Sequence, residues 1–363
     1  MDSPQLRPLL VLPLLTTLGA CGDDSGAEPS ATATTTSTTA DAAQATSDGD
    51  SSSASSMTDS TSSSSSPDNT ESTATETGEP SGDYVPEEGV EFVEANGLQF
   101  GYFSEGEGPL VLLLHGFPDT PHTWDELRPA LAAEGYRVVT PFLRGYAPTS
   151  VPAREDYGPQ TQGEDIIALV EALGEERAHL VGHDWGAFAV YSAASLEPDR
   201  FITISTIAIP HPGFFVPDPD FLERAAHFIY LAQDDAEALV RADDYALVDE
   251  LYALWSPTWD VPADETDAVK NLFAAPGSLN ATLGYYRANS PIPPAFLQEP
   301  ITVPAMTIAG LDDGVTLPDT FDQTAAGFSG PFVLHKFDGG HFVHRESPDE
   351  VLQAIVDQLA AAR

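Results

Sequence analysis

Basic side chains are scarce in this chain. Lys and Arg number 14 against 57 Asp and Glu over 363 residues, a formal net charge of −43. No Lys or Arg stands between Arg7 and Arg128. That balance excludes nucleic acid as a partner, because Lys and Arg must neutralise its phosphates, and it excludes electrostatic docking on anionic lipid. Cysteine is scarcer still: Cys21 is the only one, so no disulfide can form within the chain. Long apolar runs are missing after the first twenty residues, and even Leu9 to Leu18 is short for a membrane span. Neither a metal-ligand spacing nor a glycine-rich phosphate loop occurs, so the sequence implies no metal and no cofactor.

What is present falls into three parts. Residues 1–20 read as a targeting leader, ending in Leu18-Gly19-Ala20-Cys21. This resembles the lipobox of bacterial lipoproteins, which implies a lipidated Cys21 as mature N-terminus and export to the cell envelope, with membrane contact through the lipid alone. Residues 21–84 are dominated by Ser, Thr, Ala and acidic residues, with runs such as Ser62 to Ser66. Such a stretch buries too little apolar surface to offset its chain entropy, and reads as a self-repelling tether. Residues 85–363 carry the globular part.

Within that part, predicted strands and helices alternate. Asn96-Gly97 between Glu91-Phe92-Val93 and Leu98 to Phe103 is a type I′ hairpin signal. Strands are expected at 110–115, 136–140, 178–181, 201–209, 302–309 and 332–337. Helices are expected at 123–133, 163–173, 185–196 and 348–361, the last with Ser347 as N-cap. This predicts an α/β protein with a mostly parallel, doubly wound sheet. The stretch from His211 to about Gln298 breaks the rhythm and is helical in character, with segments at 221–232, 235–240 and 244–254. It reads as a lid inserted above the carboxyl ends of the strands.

The chemistry centres on Gly182-His183-Asp184-Trp185-Gly186, between a predicted buried strand and a buried helix. The glycine spacing is that of a nucleophile elbow, a strand-to-helix turn that lifts one side chain into a pocket. A carboxylate stands where a hydroxyl is usual. With a carboxylic ester it would form an anhydride, so it suits attack on a saturated carbon bearing a leaving group, giving an ester that water can cleave. After the 302–309 strand, Asp312 and Asp313 share a turn, and either can orient a histidine. His341 follows the last strand. The backbone N–H groups of Phe117, after His115-Gly116, and of Trp185 are candidate oxyanion donors. His115 itself reads as a hydrogen-bonded structural residue.

His115-Gly116-Phe117-Pro118, Arg144-Gly145-Tyr146, Gly182 to Ala187 and Gly340-His341-Phe342 with Glu346-Ser347-Pro348 together resemble the epoxide hydrolase branch of the α/β-hydrolase fold. The resemblance implies a nucleophile Asp184, a base His341 and an orienting acid, which it places at Asp313. It implies a small apolar epoxide as substrate and a vicinal diol as product. The branch also uses two lid tyrosines as acids. Leu283-Gly284-Tyr285-Tyr286-Arg287 matches one and assigns Tyr286. The other position holds Phe228, leaving Tyr230 or His227 as possible donors. Activity on this reading needs neutral His341 and falls below about pH 6–7. Two alternatives stay open: a hydrolytic haloalkane dehalogenase using the same Asp184, with the Trp185 indole as halide donor, and a non-catalytic surface binding protein on the same scaffold.

Overall fold

The computed structural model describes residues 86–362. The expected leader, Cys21 and the whole of the expected tether lie outside the described residues. The predicted hairpin is formed by β1 (Glu91–Ala95) and β2 (Leu98–Glu105). Asn96 and Gly97 have φ of 45° and 75°, both positive as a type I′ turn requires. The other strands are β3 (Leu110–Leu114), β4 (Arg137–Pro141), β5 (Ala178–His183), β6 (Phe201–Ile207), β7 (Ala305–Gly310) and β8 (Phe332–Phe337). They make one sheet of order β1-β2-β4-β3-β5-β6-β7-β8, antiparallel at β1–β2 and β2–β4 and parallel throughout the rest.

The helices in chain order are α1 (Leu127–Ala133), α2 (Pro159–Ala172), α3 (Trp185–Leu196), α4 (Phe221–Arg224), α5 (His227–Tyr230), α6 (Ala236–Trp255), α7 (Asp267–Ala274), α8 (Ser278–Ala288), α9 (Val343–Glu346) and α10 (Pro348–Ala361). All five residues of β3 are buried because both faces of the sheet are covered. Leu112 and Leu114 pack with Ile166 and Leu169 of α2 and Val190 of α3. Val111 and Leu113 point the other way, with Leu127 and Leu131 of α1 and Ile355 of α10. Among the described residues no helix is long and apolar enough to cross a membrane.

Several boundaries differ from expectation. The helix expected at 123–133 is a short 3₁₀ turn, Pro121–Trp124, followed by α1. The Thr123 hydroxyl is engaged by His344 at 2.6 Å. Helix α2 starts at Pro159, and Gly163 lies inside it, where a Cβ would crowd the α3 backbone at Ser192 and Ala193. Strand β6 ends at Ile207, where Ala208 turns to φ 67°. Strand β7 begins only at Ala305, after Pro304, which has no N–H to give a ladder. Ser347 stands at the N-cap position of α10, but its hydroxyl donates to Asp338 O at 2.6 Å and caps nothing.

The elements between β6 and β7 are helical, as expected. The segment 221–232 is two single turns, α4 and α5, rather than one helix. Arg224 is tied to Val315 O (3.1 Å) and Asp218, which fixes the first turn before Ala225 breaks the backbone. Helix α6 is interrupted at Ala242–Tyr245, where Asp243, Asp244 and Tyr245 have positive φ; the break overlaps the expected gap at 241–243 but runs two residues into the expected 244–254 segment.

Candidate active site

The elbow forms because the backbone leaves room for nothing else. Asp184 sits between β5 and α3 at φ 51° and ψ −119°, a strained conformation for an L-residue. A Cβ on Gly182 would strike Gly186, one on Gly186 would strike Leu114 O, and one on Gly116 would strike Asp184 itself. The aspartate is thereby fixed, 8% exposed, with the Phe117 N–H donating to its Oδ1 at 2.8 Å. Trp185 follows as the first residue of α3. His115 lies behind the turn. The Leu143 N–H donates to its Nε2 at 3.2 Å, so its Nδ1–H donates to Gly116 O at 2.9 Å. Burial pulls its pKa down to about 4, leaving a neutral structural histidine.

His341, in the loop after β8, lies between two carboxylates. Its Nδ1 is 3.1 Å from Asp313 Oδ2, and its Nε2 is 3.6 Å from Asp184 Oδ2 with no hydrogen-bond partner. Asp313 is locked by the N–H groups of Val315 (2.7 Å) and Thr316 (3.0 Å) on its Oδ1. Asp312, its neighbour, is exposed, so Asp313 is the acid that the turn brings to His341. Burial opposes a charge on His341, but the Asp313 charge and the nearby Asp184 carboxylate outweigh it and raise its pKa to about 10. Burial also works against ionised Asp184, and the adjacent His341 overcomes it, with His183 and the Phe117 N–H assisting, so Asp184 titrates below the ordinary carboxylate value.

The lid supplies the opposite wall. The Tyr286 ring packs edge-on against Phe117 (centroids 5.0 Å apart) and Trp185 (5.3 Å), the two residues that flank Asp184. Its hydroxyl is buried without a partner. Burial, and then the Asp184 charge, raise its pKa well above that of free phenol. Phe228 stands 5.5 Å from Tyr286 and 6.1 Å from Trp185, so the wall holds a hydrocarbon ring where the resemblance calls for a phenol. His227 reaches the same wall, its ring 6.0 Å from Tyr286 and 4.7 Å from Trp255, with Nδ1 unpartnered. Burial lowers its pKa to about 3. Tyr230 is half-buried and makes none of these ring contacts; burial and then Glu250 raise its pKa to about 12. Next to Tyr286, the Tyr285 hydroxyl donates to Arg144 O at 3.1 Å, and Arg144 pairs with buried Asp165 at 2.5 and 2.7 Å. The Arg144-Gly145-Tyr146 motif thus anchors α8.

Sequence reading missed the residues that hold the two catalytic loops. The carbonyl of Trp255 accepts the N–H of Gly314 and that of His341, each at 3.0 Å. Ser256 Oγ accepts the Phe342 N–H at 3.1 Å and donates to Glu346, which also takes the Gly340 N–H at 2.8 Å. Glu346 belongs to a motif singled out in the sequence, but its lid partner lies 90 residues away with no local signal. His183 was noted only as part of the elbow. Its Nε2–H donates to His341 O at 3.0 Å and fixes the His341 backbone from behind.

Comparison with known proteins places the fold in a family. The model of the alpha/beta hydrolase fold family matches residues 109–348. An epoxide hydrolase of Caballeronia sordidicola is 30% identical over 313 residues, covering 73% of this chain and 91% of that protein. AB hydrolase superfamily protein YfhM of Bacillus subtilis is 29% identical over 277 residues, covering 74% and 97%. The crystal structure of epoxide hydrolase A from Mycobacterium thermoresistibile superimposes with a TM-score of 0.63 at 26% identity, covering 75% and 98%. The family model spans well over half of the chain, and the chain is a hydrolase belonging to the α/β-hydrolase fold family.

Proposed function

We propose that this hydrolase opens an epoxide to a vicinal diol through an alkyl ester on Asp184. The observation that carries the reading is one apolar wall that brings together an ionised, buried carboxylate and an unpartnered, buried phenol, Tyr286. Asp184 Oδ1 is held by the Phe117 N–H, so Oδ2 attacks the oxirane carbon. The C–O bond breaks, and the alkoxide takes the Tyr286 proton. An alkoxide is a strongly basic leaving group, so a positioned acid is what distinguishes this chemistry. In the second half, His341 Nε2 takes a proton from water, whose oxygen adds to the ester carbonyl of Asp184. Negative charge develops on the oxygen that faces the Phe117 N–H, with the Trp185 N–H as the other expected donor. Collapse releases the diol and leaves His341 protonated as it began, while the proton that His341 gave up before hydrolysis restores the phenol through solvent.

The aromatic wall of Phe117, Trp185, Phe228 and Tyr286 favours an apolar substrate. His227, a neutral ring beside Tyr286, is better placed than Tyr230 to act as second donor. One observation favours halide chemistry instead: the Trp185 Nε1–H is buried and unpartnered. A diol assay on styrene oxide, run beside halide release from a haloalkane panel, separates the two. Diol without halide is expected, and halide release without diol overturns the epoxide reading. Turnover of neither substrate, with wild type and Asp184→Asn binding a ligand alike, supports the surface binding alternative. We also propose the envelope location through Cys21; Cys21→Ser is expected to leave the protein in the soluble fraction, and retention in membranes counts against it.

A further inference from the structure

Behind the catalytic histidine, away from the aromatic wall, three buried side chains converge. Asp119, His183 and His344 are each 3% exposed or less. One ligand atom from each lies within 4.8 Å of the other two. Their remaining atoms are already engaged. Asp119 Oδ1 accepts the Thr120 N–H at 2.8 Å, His183 Nε2 is bonded to His341 O, and His344 Nε2 to the Thr123 hydroxyl. Asp119 Oδ2, His183 Nδ1 and His344 Nδ1 are left with no partner, although burying a polar atom without one is costly. We propose that Asp119, His183 and His344 form a binding site for a divalent transition metal of the zinc class.

The donor set fits such an ion. Two imidazoles and one carboxylate suit Zn²⁺, Co²⁺ or Ni²⁺ rather than Mg²⁺ or Ca²⁺, which prefer oxygen alone. The ligand atoms of a tetrahedral zinc lie roughly 3.5 Å apart, so closure asks only for small side-chain shifts. Metal-ligating histidines usually give their other ring nitrogen to a carbonyl or similar partner, and His183 and His344 both have one. The approach is also suitable. Asp119 and His344 line a cavity of about 290 Å³ whose wall carries Asp125, Glu126, Asp264 and Glu265. Arg345, on the same wall, is paired with Glu265 at 2.6 Å. The three residues are 64 and 161 positions apart in pairs along the chain (119 to 183, 183 to 344), which is why no sequence spacing reveals them.

The test uses the full chain, stripped with a chelator and titrated with Co²⁺ in excess Mg²⁺ so that carboxylate-only sites are filled. We expect one equivalent to bind with the visible absorption of a nitrogen-ligated Co²⁺ site. Zn²⁺ should displace it. His344→Gln and Asp119→Asn should each weaken binding by about 100-fold or more. His122→Asn should not, although His122 forms its own surface cluster with Glu87 and Asp125. A folded wild type that takes up no Co²⁺ below about 0.1 mM overturns the proposal and leaves a water among the three atoms. So does binding that is lost in His122→Asn and kept in His344→Gln. If either ligand variant misfolds, X-ray absorption on the Zn²⁺-loaded wild type decides: two imidazoles support the site, and an all-oxygen shell overturns it.

Discussion

The site has two walls, and they are built differently. The sheet side is held by backbone: Asp184 by an elbow that tolerates only glycine around it and Asp313 by two N–H groups, while the His341 loop is tied across to the lid through the Trp255 carbonyl. The lid side is held by rings packed on rings, on helices as short as one turn. The sheet side presents every group that the resemblance calls for. The lid side presents one phenol of two. Backbone fixes a position without caring about the rest of the sequence, so the nucleophile side leaves little freedom. Ring packing accepts any aromatic of similar size, so Phe228 fills its place without disturbing Tyr286.

If the sheet side carries the covalent chemistry, its variants give the largest losses. Asp184→Asn is expected to lower kcat on an epoxide by about 10⁴-fold or more, since no other nucleophile stands nearby. His341→Gln is expected to lower turnover by about 10³-fold in a different way. Alkylation proceeds and hydrolysis does not, so intact-protein mass spectrometry should show one substrate adduct, mapped to Asp184. The absence of any adduct with a reactive epoxide counts heavily against the two-step scheme.

The same contrast explains what could be read from sequence. Asp184 and Asp313 each follow a fully buried strand and His341 a partly buried one, and strands with their flanking glycines announce themselves through short apolar runs. Strand β8 and helices α3 and α10 have the expected limits for that reason. The choice of Asp313 over Asp312 came from family resemblance, and the physical ground, burial against His341, needs coordinates. The lid was legible only as helical. Its break at Ala225, the pairing of Ser256 with Glu346 and the convergence of His183 with Asp119 and His344 all depend on contacts far apart in the chain.

On the lid side the main effect is expected from Tyr286. Removing its hydroxyl, Tyr286→Phe, leaves the ring packing intact and should slow alkylation by about 10²-fold, with little change in ester hydrolysis. Stopped-flow fluorescence from Trp185 separates the two steps. Slower hydrolysis with unchanged alkylation would move Tyr286 out of the acid role.

The pH dependence sharpens the comparison further. Below a pKa of about 10 the resting enzyme holds His341 as a cation, because Asp313 and Asp184 together overcome its burial. Alkylation neutralises Asp184 and removes one of those two supports, so the histidine becomes easier to deprotonate only once the ester exists. Alkylation should therefore be flat between about pH 6 and 9. Hydrolysis should rise about tenfold per pH unit up to a midpoint below 10. This replaces the simpler expectation of a fall below pH 6–7 set by a free imidazole. Single-turnover rates measured with a chelator present test it, and an alkylation rate that tracks His341 deprotonation would break it.

The smallest expected effect addresses the gap in the lid itself. If His227 stands in for the missing phenol, His227→Gln should slow alkylation only a few-fold, because a neutral imidazole is a weaker acid toward an alkoxide than a well-placed phenol. Phe228→Tyr adds a hydroxyl on the wall that already faces Tyr286 and Trp185. It should speed alkylation by a similar factor. The two changes share one role, so they should not be additive: in the Phe228→Tyr background, His227→Gln should cost nothing. If both effects persist in full in the double variant, His227 and residue 228 act independently. The lid then works with Tyr286 as its single acid, and the packing that tolerates Phe228 does so because no second donor was ever required.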